Sequence, residues 1–95
     1  MNLPVVSAPT TFPIQMERRR SRRFPYPALV RVDRLSGAGI DISTGGVAVL
    51  LPEPIPVGRI VVVALTAGDE VNISARVVRI TPTRRGVIVG LQFVD

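Results

Sequence analysis

The amino-acid sequence predicts an all-β domain of about six strands, an antiparallel barrel or sandwich, from three observations. Short segments rich in Val and Ile alternate apolar with polar side chains, as strands with one solvated face do. Glycine and proline separate these segments at regular intervals, and no segment has the period of an amphipathic helix. Because no helix is long enough to cross between parallel strands, the sheet is expected to be antiparallel, and its closure would remove exposed edges.

The first two strands are predicted on either side of a glycine-rich connection. One covers residues 28–33 and the other residues 38–43, and both alternate apolar with polar side chains. The stretch LSGAG, Leu35 to Gly39, is the expected connection between them. The face of the second strand that is expected to point into the barrel is apolar: Ala38, Ile40 and Ile42.

The rest of the chain continues this pattern of strands and turns. The three prolines of PEPIPVG, residues 52–58, exclude both a helix and the interior of a sheet. The stretches AGDE, residues 67–70, and TPTRRG, residues 81–86, are expected to form turns. The remaining strands are predicted at residues 47–51, 59–66, 71–80 and 87–94.

Composition limits the chemistry that this chain can perform. Its 95 residues make one small domain, and they include no cysteine and no histidine. Disulfides, metal sites built on thiolate or imidazole, and most nucleophile–base pairs are therefore excluded. We expect a binding module with no cofactor and no metal rather than an enzyme, and a reducing cytoplasm suits it. The longest apolar run, Ile60 to Leu65, is far shorter than the roughly 20 residues of a spanning helix, so no membrane insertion is expected.

Positive charge is concentrated in one stretch, ERRRSRRFPYP, from Glu17 to Pro27. Its five Arg and one Glu carry a net charge of +4, against +5 for the whole chain. Arginine offers a planar fork of donors that grips a phosphate or the O6 and N7 atoms of guanine. Phe24 to Pro27 is expected to stiffen the chain and to anchor the arginines at the edge of the barrel. Residues 1–17 are expected to be a disordered or loosely ordered N-terminal arm, and residues 18–95 the folded domain.

A second motif is DISTGGV, from Asp41 to Val47. Asp41 and Ser43 are two residues apart, so on a strand they point to the same face. Their oxygen atoms are the acceptors that the N1–H and N2–H₂ donors of a guanine Watson–Crick edge require. Gly45 and Gly46 supply either a tight turn with positive φ or space for a ligand to approach the backbone. By itself, the stretch is also typical of an ordinary strand–turn–strand.

Together, RRRSRR followed by Phe24-Pro25 and the later DISTGG resemble the two ligand motifs of the PilZ domain, R-x-x-x-R and [D/N]-x-S-x-x-G. The stretch GLQF, Gly90 to Phe93, is similar to the last strand of that family, and the resemblance covers residues 17–95. It implies a six-stranded antiparallel β-barrel that binds the bacterial second messenger cyclic di-GMP. The family often carries a C-terminal helix, for which the sequence after Phe93 leaves no room, so no substantial helix is expected there.

The resemblance also implies which residues would bind the ligand. Arg19 and Arg23 would be the R-x-x-x-R pair, because an apolar residue and a proline follow the second arginine as is usual in the family. Arg18 with Arg22 also fits the spacing. Arg18 occupies the place of the basic residue before the motif, which implies an intercalated pair of ligand molecules per domain. The second motif would contribute Asp41, Ser43 and Gly46.

Three functions remain open at this point. The leading one is a non-catalytic cyclic di-GMP receptor that relays ligand occupancy to an unknown downstream protein. The second is a PilZ-like protein-interaction module that binds no ligand. The third is a basic β-barrel that binds single-stranded nucleic acid, but such barrels stack bases on aromatic side chains, and no DNA or RNA partner is expected here. The aromatic residues of the chain are Phe12, Phe24, Tyr26 and Phe93.

Overall fold

The computed structural model describes residues 22–94, which form seven antiparallel strands. The expected N-terminal arm, residues 1–17, lies outside this part of the chain. In chain order the strands are β1 (Phe24–Pro25), β2 (Leu29–Val32), β3 (Leu35–Ser43), β4 (Gly46–Leu51), β5 (Ile60–Ala67), β6 (Asp69–Thr83) and β7 (Gly86–Phe93). Residues 22–94 contain no helix that could cross a membrane.

Six of these strands close into a barrel. β3 pairs with β2, and the order continues through β5, β6 and β7 to β4, which pairs with β3 again. β1 is a two-residue addition to β3, where Phe24 lies opposite Ile42 and Pro25 opposite Asp41. The predicted six-stranded antiparallel barrel is therefore confirmed. The short strand β1 attaches the chain to the barrel directly after the arginine-rich stretch.

Valine side chains dominate the interior of the barrel. β-branched residues suit a pleated strand because their restricted χ1 rotamers pack well against neighbouring strands. Leu35 and Ile42 of β3 are partly buried against this core, and Ile55 reaches it from the loop between β4 and β5. The buried core residues are Val30, Val32, Val47, Val49, Leu51, Ile55, Val61, Val63, Leu65, Ala75, Val77, Val89 and Leu91.

The connection between β2 and β3 is shorter than the sequence predicts. Leu35–Gly39, the expected connection, already belongs to β3 and pairs with the neighbouring strands. The chain reverses instead at Asp33 and Arg34, where Asp33 has a φ of 53°. Aspartate tolerates this left-handed conformation better than most residues. Oδ1 of Asp33 also accepts a hydrogen bond from the amide of Val62 at 2.8 Å, so a contact with a distant strand supports the tight turn.

The β5–β6 and β6–β7 hairpins are also longer than predicted. Residues 67–70 and 81–86 are mostly strand, not turn. Only Gly68, with a φ of 87°, separates β5 from β6, and only residues 84–85 separate β6 from β7. Gly86, the first residue of β7, has a φ of 147°. Because glycine adopts positive φ without steric cost, the chain reverses within very few residues and cross-strand pairing extends almost to the turn.

Two β-bulges decide which side chains face outward. The pairing of β3 with β4 skips Ile40, and the pairing of β6 with β7 skips Val78. Both skipped residues are partly exposed, by 38% and 44%. Each extra residue reverses the alternation of the strand that follows it. As a result, Asp41 in β3 and Arg79 in β6 lie on the outer surface of the barrel.

The first bulge also corrects the predicted inner face of β3. Ile42 packs against the core as expected, but Ala38 and Ile40 are exposed. Before the bulge the inward positions are odd-numbered, and Leu35 packs there, whereas after it the inward position is the even-numbered Ile42. The prediction that side chains alternate uniformly between the two faces along residues 38–43 was therefore wrong. The extra residue moves the inward-facing side chains by one position in the sequence.

Candidate functional site

A shallow groove crosses the outer face of the barrel over β3, β4, β7 and β6. Its volume is about 470 Å³, within the range of small-molecule sites. The groove forms because the two central strands carry small side chains or none at its floor: Gly46 and Ala48 of β4 and Gly90 of β7. Arg23 borders the groove on the β3 side and Arg79 on the β6 side. The groove is therefore a low strip of backbone and small side chains between two cationic borders.

Cross-strand pairing explains how residues distant in the sequence meet in this groove. Residues directly opposite each other in an antiparallel sheet point to the same face. Two such rows cross the four strands, and each begins with an acceptor side chain on β3 and ends with an arginine on β6. The first row is Asp41, Ala48, Gly90 and Arg79. The second row is Ser43, Gly46, Gln92 and Arg76.

Arg23 joins the two acceptors of β3. Its Nε donates to Oδ1 of Asp41 at 2.6 Å, and its Nη1 donates to Oγ of Ser43 at 3.3 Å. The side chains of Arg23 and Asp41 are 46% and 34% exposed, so the pair lies at the surface. The pairing of β1 with β3 places Arg23 here, because Pro25, two residues later, lies opposite Asp41.

Ser43 is the buried polar residue of this arrangement. It is only 8% exposed and precedes the turn between β3 and β4. Its Oγ accepts a hydrogen bond from the amide of Gly45 at 3.1 Å in addition to the one from Arg23. The carbonyl oxygen of Gly45 accepts in turn from the amide of Phe93 at 2.9 Å. Ser43 therefore fixes the turn and orients the guanidinium of Arg23 at the same time.

Gly46 is needed for close packing of β4 against β7. Neither Gly45 nor Gly46 has a positive φ, so the predicted alternative of a positive-φ turn is wrong. A Cβ atom at Gly46 would overlap the carbonyl oxygen of Leu91. The neighbouring strand therefore accounts for the glycine, although Gly46 also lines the groove.

The structure brings four of the predicted ligand residues together and leaves two undescribed. Arg23, Asp41, Ser43 and Gly46 all line the groove. Arg18 and Arg19 lie outside the described residues.

The other register of the R-x-x-x-R motif, Arg18 with Arg22, has a different geometry. The Cζ atom of Arg22 lies 5.6 Å from the centre of the Phe24 ring, a cation–π contact. Arg23 is therefore the residue of the two that reaches Asp41 and Ser43.

Sequence reasoning missed Arg79, Gly90 and Ala48 as parts of the groove. Arg79 lies 38 residues after Asp41 in the chain, and only the register of four strands places the two in one row. Gly90 is the first residue of GLQF, which indicated the last strand but not its position in a groove floor. The signal that could have found Arg79 is an arginine directly after two adjacent valines, because such a break in alternation is compatible with a bulge.

The β3 border of the groove combines a carboxylate and a hydroxyl that both accept hydrogen bonds from one guanidinium. Such a border suits a ligand that presents donors and acceptors together, as the edge of a guanine and a phosphate do. The sequence model of the PilZ domain matches residues 17–95, which include both motifs and all seven strands.

The chain belongs to the PilZ domain family. It has no match among curated proteins or solved structures. In this PilZ domain, the segment from Arg22 to Pro25 and the β3–β4 turn meet at the β3 border of the groove. The resemblance inferred from short motifs therefore extends over most of the chain.

Proposed function

We propose that this PilZ domain is a non-catalytic receptor that binds cyclic di-GMP in the groove and relays its occupancy to a partner protein. The observation that carries the proposal is the cluster of Arg23, Asp41 and Ser43 at the β3 border. PilZ domains are generally non-catalytic receptors, which fits a chain without histidine or cysteine. Because the proposed ligand is a bacterial second messenger, the proposed place of action is the bacterial cytoplasm.

The β3 border supports recognition of guanine in particular. The carboxylate of Asp41 accepts from the N1–H and N2–H₂ groups of its Watson–Crick edge. Ser43, whose two lone pairs already accept from Gly45 and Arg23, holds Arg23 beside that carboxylate. Arg23 uses two of its N–H groups on Asp41 and Ser43, and its other N–H groups remain available for guanine or a phosphate. Gly46, in the row of Ser43, adds no side chain and leaves the floor open to a flat ring.

The arginines before β1 complete the proposed site. Arg18 and Arg19 precede Arg23 by a few residues, so their donors are within reach of a ligand held at Asp41. We propose that Arg19 contacts the ligand at the β3 border and that Arg18 holds a second, intercalated ligand molecule. A ligand that binds better when these arginines are closed over it shifts the population toward that state, and a partner can detect the shift.

Binding of single-stranded nucleic acid has less support. Such sites need several exposed aromatic side chains on which bases stack. Among the described residues, only Phe24 is a largely exposed aromatic, at 54%. Tyr26 and Phe93 are packed against the core. A ligand-independent interaction module has no specific observation in its favour either, because the motif side chains in the groove are intact.

A paired calorimetric titration tests the proposal. Cyclic di-GMP, cyclic di-AMP and a short single-stranded oligonucleotide are titrated separately into the protein at low and at high salt. Adenine has an acceptor at N1 where guanine has a donor, so Asp41 would lose its partner, and we expect cyclic di-GMP to bind at least about a hundredfold more tightly. Binding that depends only on ligand charge would fall steeply with salt for all three ligands. Equal affinity for the two dinucleotides, or tighter binding of the oligonucleotide, would contradict the proposal.

A further inference from the structure

We infer that Arg79 is a ligand-binding residue on the β6 border of the groove, where its guanidinium donates to acceptor atoms of bound cyclic di-GMP. The inference rests on the proposed function and adds a second binding border opposite Asp41. Arg79 lies outside both sequence motifs, in the middle of β6. Four observations carry it: a bulge, a glycine, a missing ion pair and a cross-strand distance.

The bulge at Val78 places Arg79 on the outer surface. Val77 is fully buried, so in a regular strand Val78 would face outward and Arg79 inward. The extra residue reverses this order, and Arg79 lies opposite Gly90 on the groove face. The bulge at Ile40 does the same for Asp41. Bulges next to functional sites commonly re-aim a side chain, and here both strands that border the groove contain one.

Gly90 makes room for the side chain of Arg79 on the floor. A Cβ atom at Gly90 would lie 3.5 Å from Cβ and 3.7 Å from Nε of Arg79. Cβ and Nε of this side chain are therefore both close to Gly90, which means that its first part passes over the floor of the groove, while the residue stays exposed to solvent. A bulky residue at position 90 would compete with Arg79 for this space.

Arg79 is also a cation of the groove that has no acidic partner within the described part of the chain. The ion pairs within residues 22–94 are Arg23 with Asp41 and Arg31 with Glu70, so Arg79 has no acidic partner there. Of the two arginines among residues 22–94 that line the groove, Arg23 is therefore offset by a carboxylate of this range and Arg79 is not. Cyclic di-GMP carries two phosphates, and a desolvated phosphate needs a cation that is free to pair with it.

The width of the groove assigns Arg79 to a different part of the ligand from Asp41. Three strand spacings separate the two residues in their row, or about 14 Å between backbones. A guanine edge held at Asp41 therefore cannot reach the backbone of β6. The atoms that Arg79 meets are a phosphate oxygen, or the O6 and N7 atoms of a guanine, that lie above β7 and β6.

Isothermal titration of cyclic di-GMP into Arg79→Gln tests the inference, with Arg84→Gln as the matched control. Arg84 lies in the turn between β6 and β7, is exposed, and does not line the groove. The two variants therefore change the net charge equally, but only Arg79→Gln changes the groove. We expect Arg79→Gln to bind about 10 to 100 times more weakly than Arg84→Gln, as the loss of a charge-assisted hydrogen bond predicts. Both variants should keep the circular dichroism spectrum and melting temperature of the parent, because both side chains are at the surface.

The outcomes separate the inference from the proposed function. If the parent protein binds no cyclic di-GMP, the proposed function fails and this inference fails with it. If the parent and Arg79→Gln bind equally well, the inference alone is overturned. If Arg79→Gln does bind more weakly, Arg79→Lys distinguishes the two acceptor groups. Near-parental affinity of Arg79→Lys indicates a phosphate, for which a point charge suffices. Affinity as low as that of Arg79→Gln indicates the O6 and N7 edge of guanine, which needs the planar fork of arginine.

Discussion

The hydroxyl of Tyr26 pairs with both backbone groups of Thr66, donating to the carbonyl oxygen at 2.6 Å and accepting from the amide at 3.0 Å. This side chain takes the place of a strand residue at a weak point of the barrel, because β2 pairs with β5 at only two positions, Arg31 with Ala64 and Val32 with Val63. Tyr26 therefore extends the seam between the first and second halves of the sheet beyond the end of the ladder.

Tyr26→Phe removes both hydrogen bonds and keeps the ring. We expect the free energy of unfolding to fall by about 1 kcal/mol. This is a small loss for two hydrogen bonds, because water reaches the backbone groups of Thr66 that the hydroxyl leaves. Urea denaturation measures the change, and hydrogen exchange should show faster exchange of the Thr66 amide in particular. An unchanged urea midpoint together with an equally protected Thr66 amide would mean that the seam does not depend on Tyr26.

Asp41→Ala should separate ligand binding from stability. The Arg23–Asp41 pair is 46% and 34% exposed, so its loss should change the free energy of unfolding by less than about 1 kcal/mol. Cyclic di-GMP affinity should fall at least about tenfold, since the guanine edge loses a charged acceptor. Glu70→Ala is the matched control, because it breaks the exposed pair with Arg31 at 3.1 Å and Glu70 does not line the groove. Equal binding by the two variants would remove Asp41 from the site.

Arg23→Ala should weaken cyclic di-GMP binding as strongly as Asp41→Ala. Arg23 donates to both acceptors of the β3 border, and its loss removes a charge-assisted contact and the group that positions Asp41. Arg22→Ala is its control, because Arg22 lies over the Phe24 ring instead. Stronger loss in Arg22→Ala than in Arg23→Ala, measured by the same titration, would favour the register of Arg18 with Arg22.

Arg18→Leu should change the stoichiometry of binding. If Arg18 holds the second molecule of an intercalated pair, the parent should bind two molecules of cyclic di-GMP per domain and Arg18→Leu one. The inflection point of a titration at protein concentrations well above the dissociation constant gives this ratio. A ratio of one in the parent would remove the second ligand from the proposed function.

Replacing Gly46 of β4 or Gly90 of β7 by alanine should change the free energy of unfolding differently. Gly46→Ala forces a Cβ atom into the carbonyl oxygen of Leu91, and we expect the free energy of unfolding to fall by about 1–3 kcal/mol. Gly90→Ala places its Cβ atom at 3.5 Å from the nearest atom, an ordinary contact, and should be neutral or stabilising by up to about 1 kcal/mol. Comparable urea midpoints for the two variants would show that β4 can move away from β7.

Much of the fold could be predicted because alternation is a local property. Val47 and Val49, and likewise Val89 and Leu91, are separated by single residues, and burying them requires only an extended chain with one face inward. The turns were less predictable. Asp33 adopts a φ of 53° with support from the amide of Val62, which is far away in the sequence, so the turn could not be located from residues 33–39 alone.

The sequence by itself determined most of the strands, the absence of histidine and cysteine, and the two motifs that indicated a guanine nucleotide. The tertiary structure decided which of these residues meet. Asp41 and Arg79 face the same groove only because Ile40 and Val78 are extra residues relative to the strands beside them. A bulge is defined by the pairing of two strands, and its position is set by the packing of a whole barrel face. A local break in alternation, such as the two valines before Arg79, is compatible with a bulge but does not show which residue is the extra one.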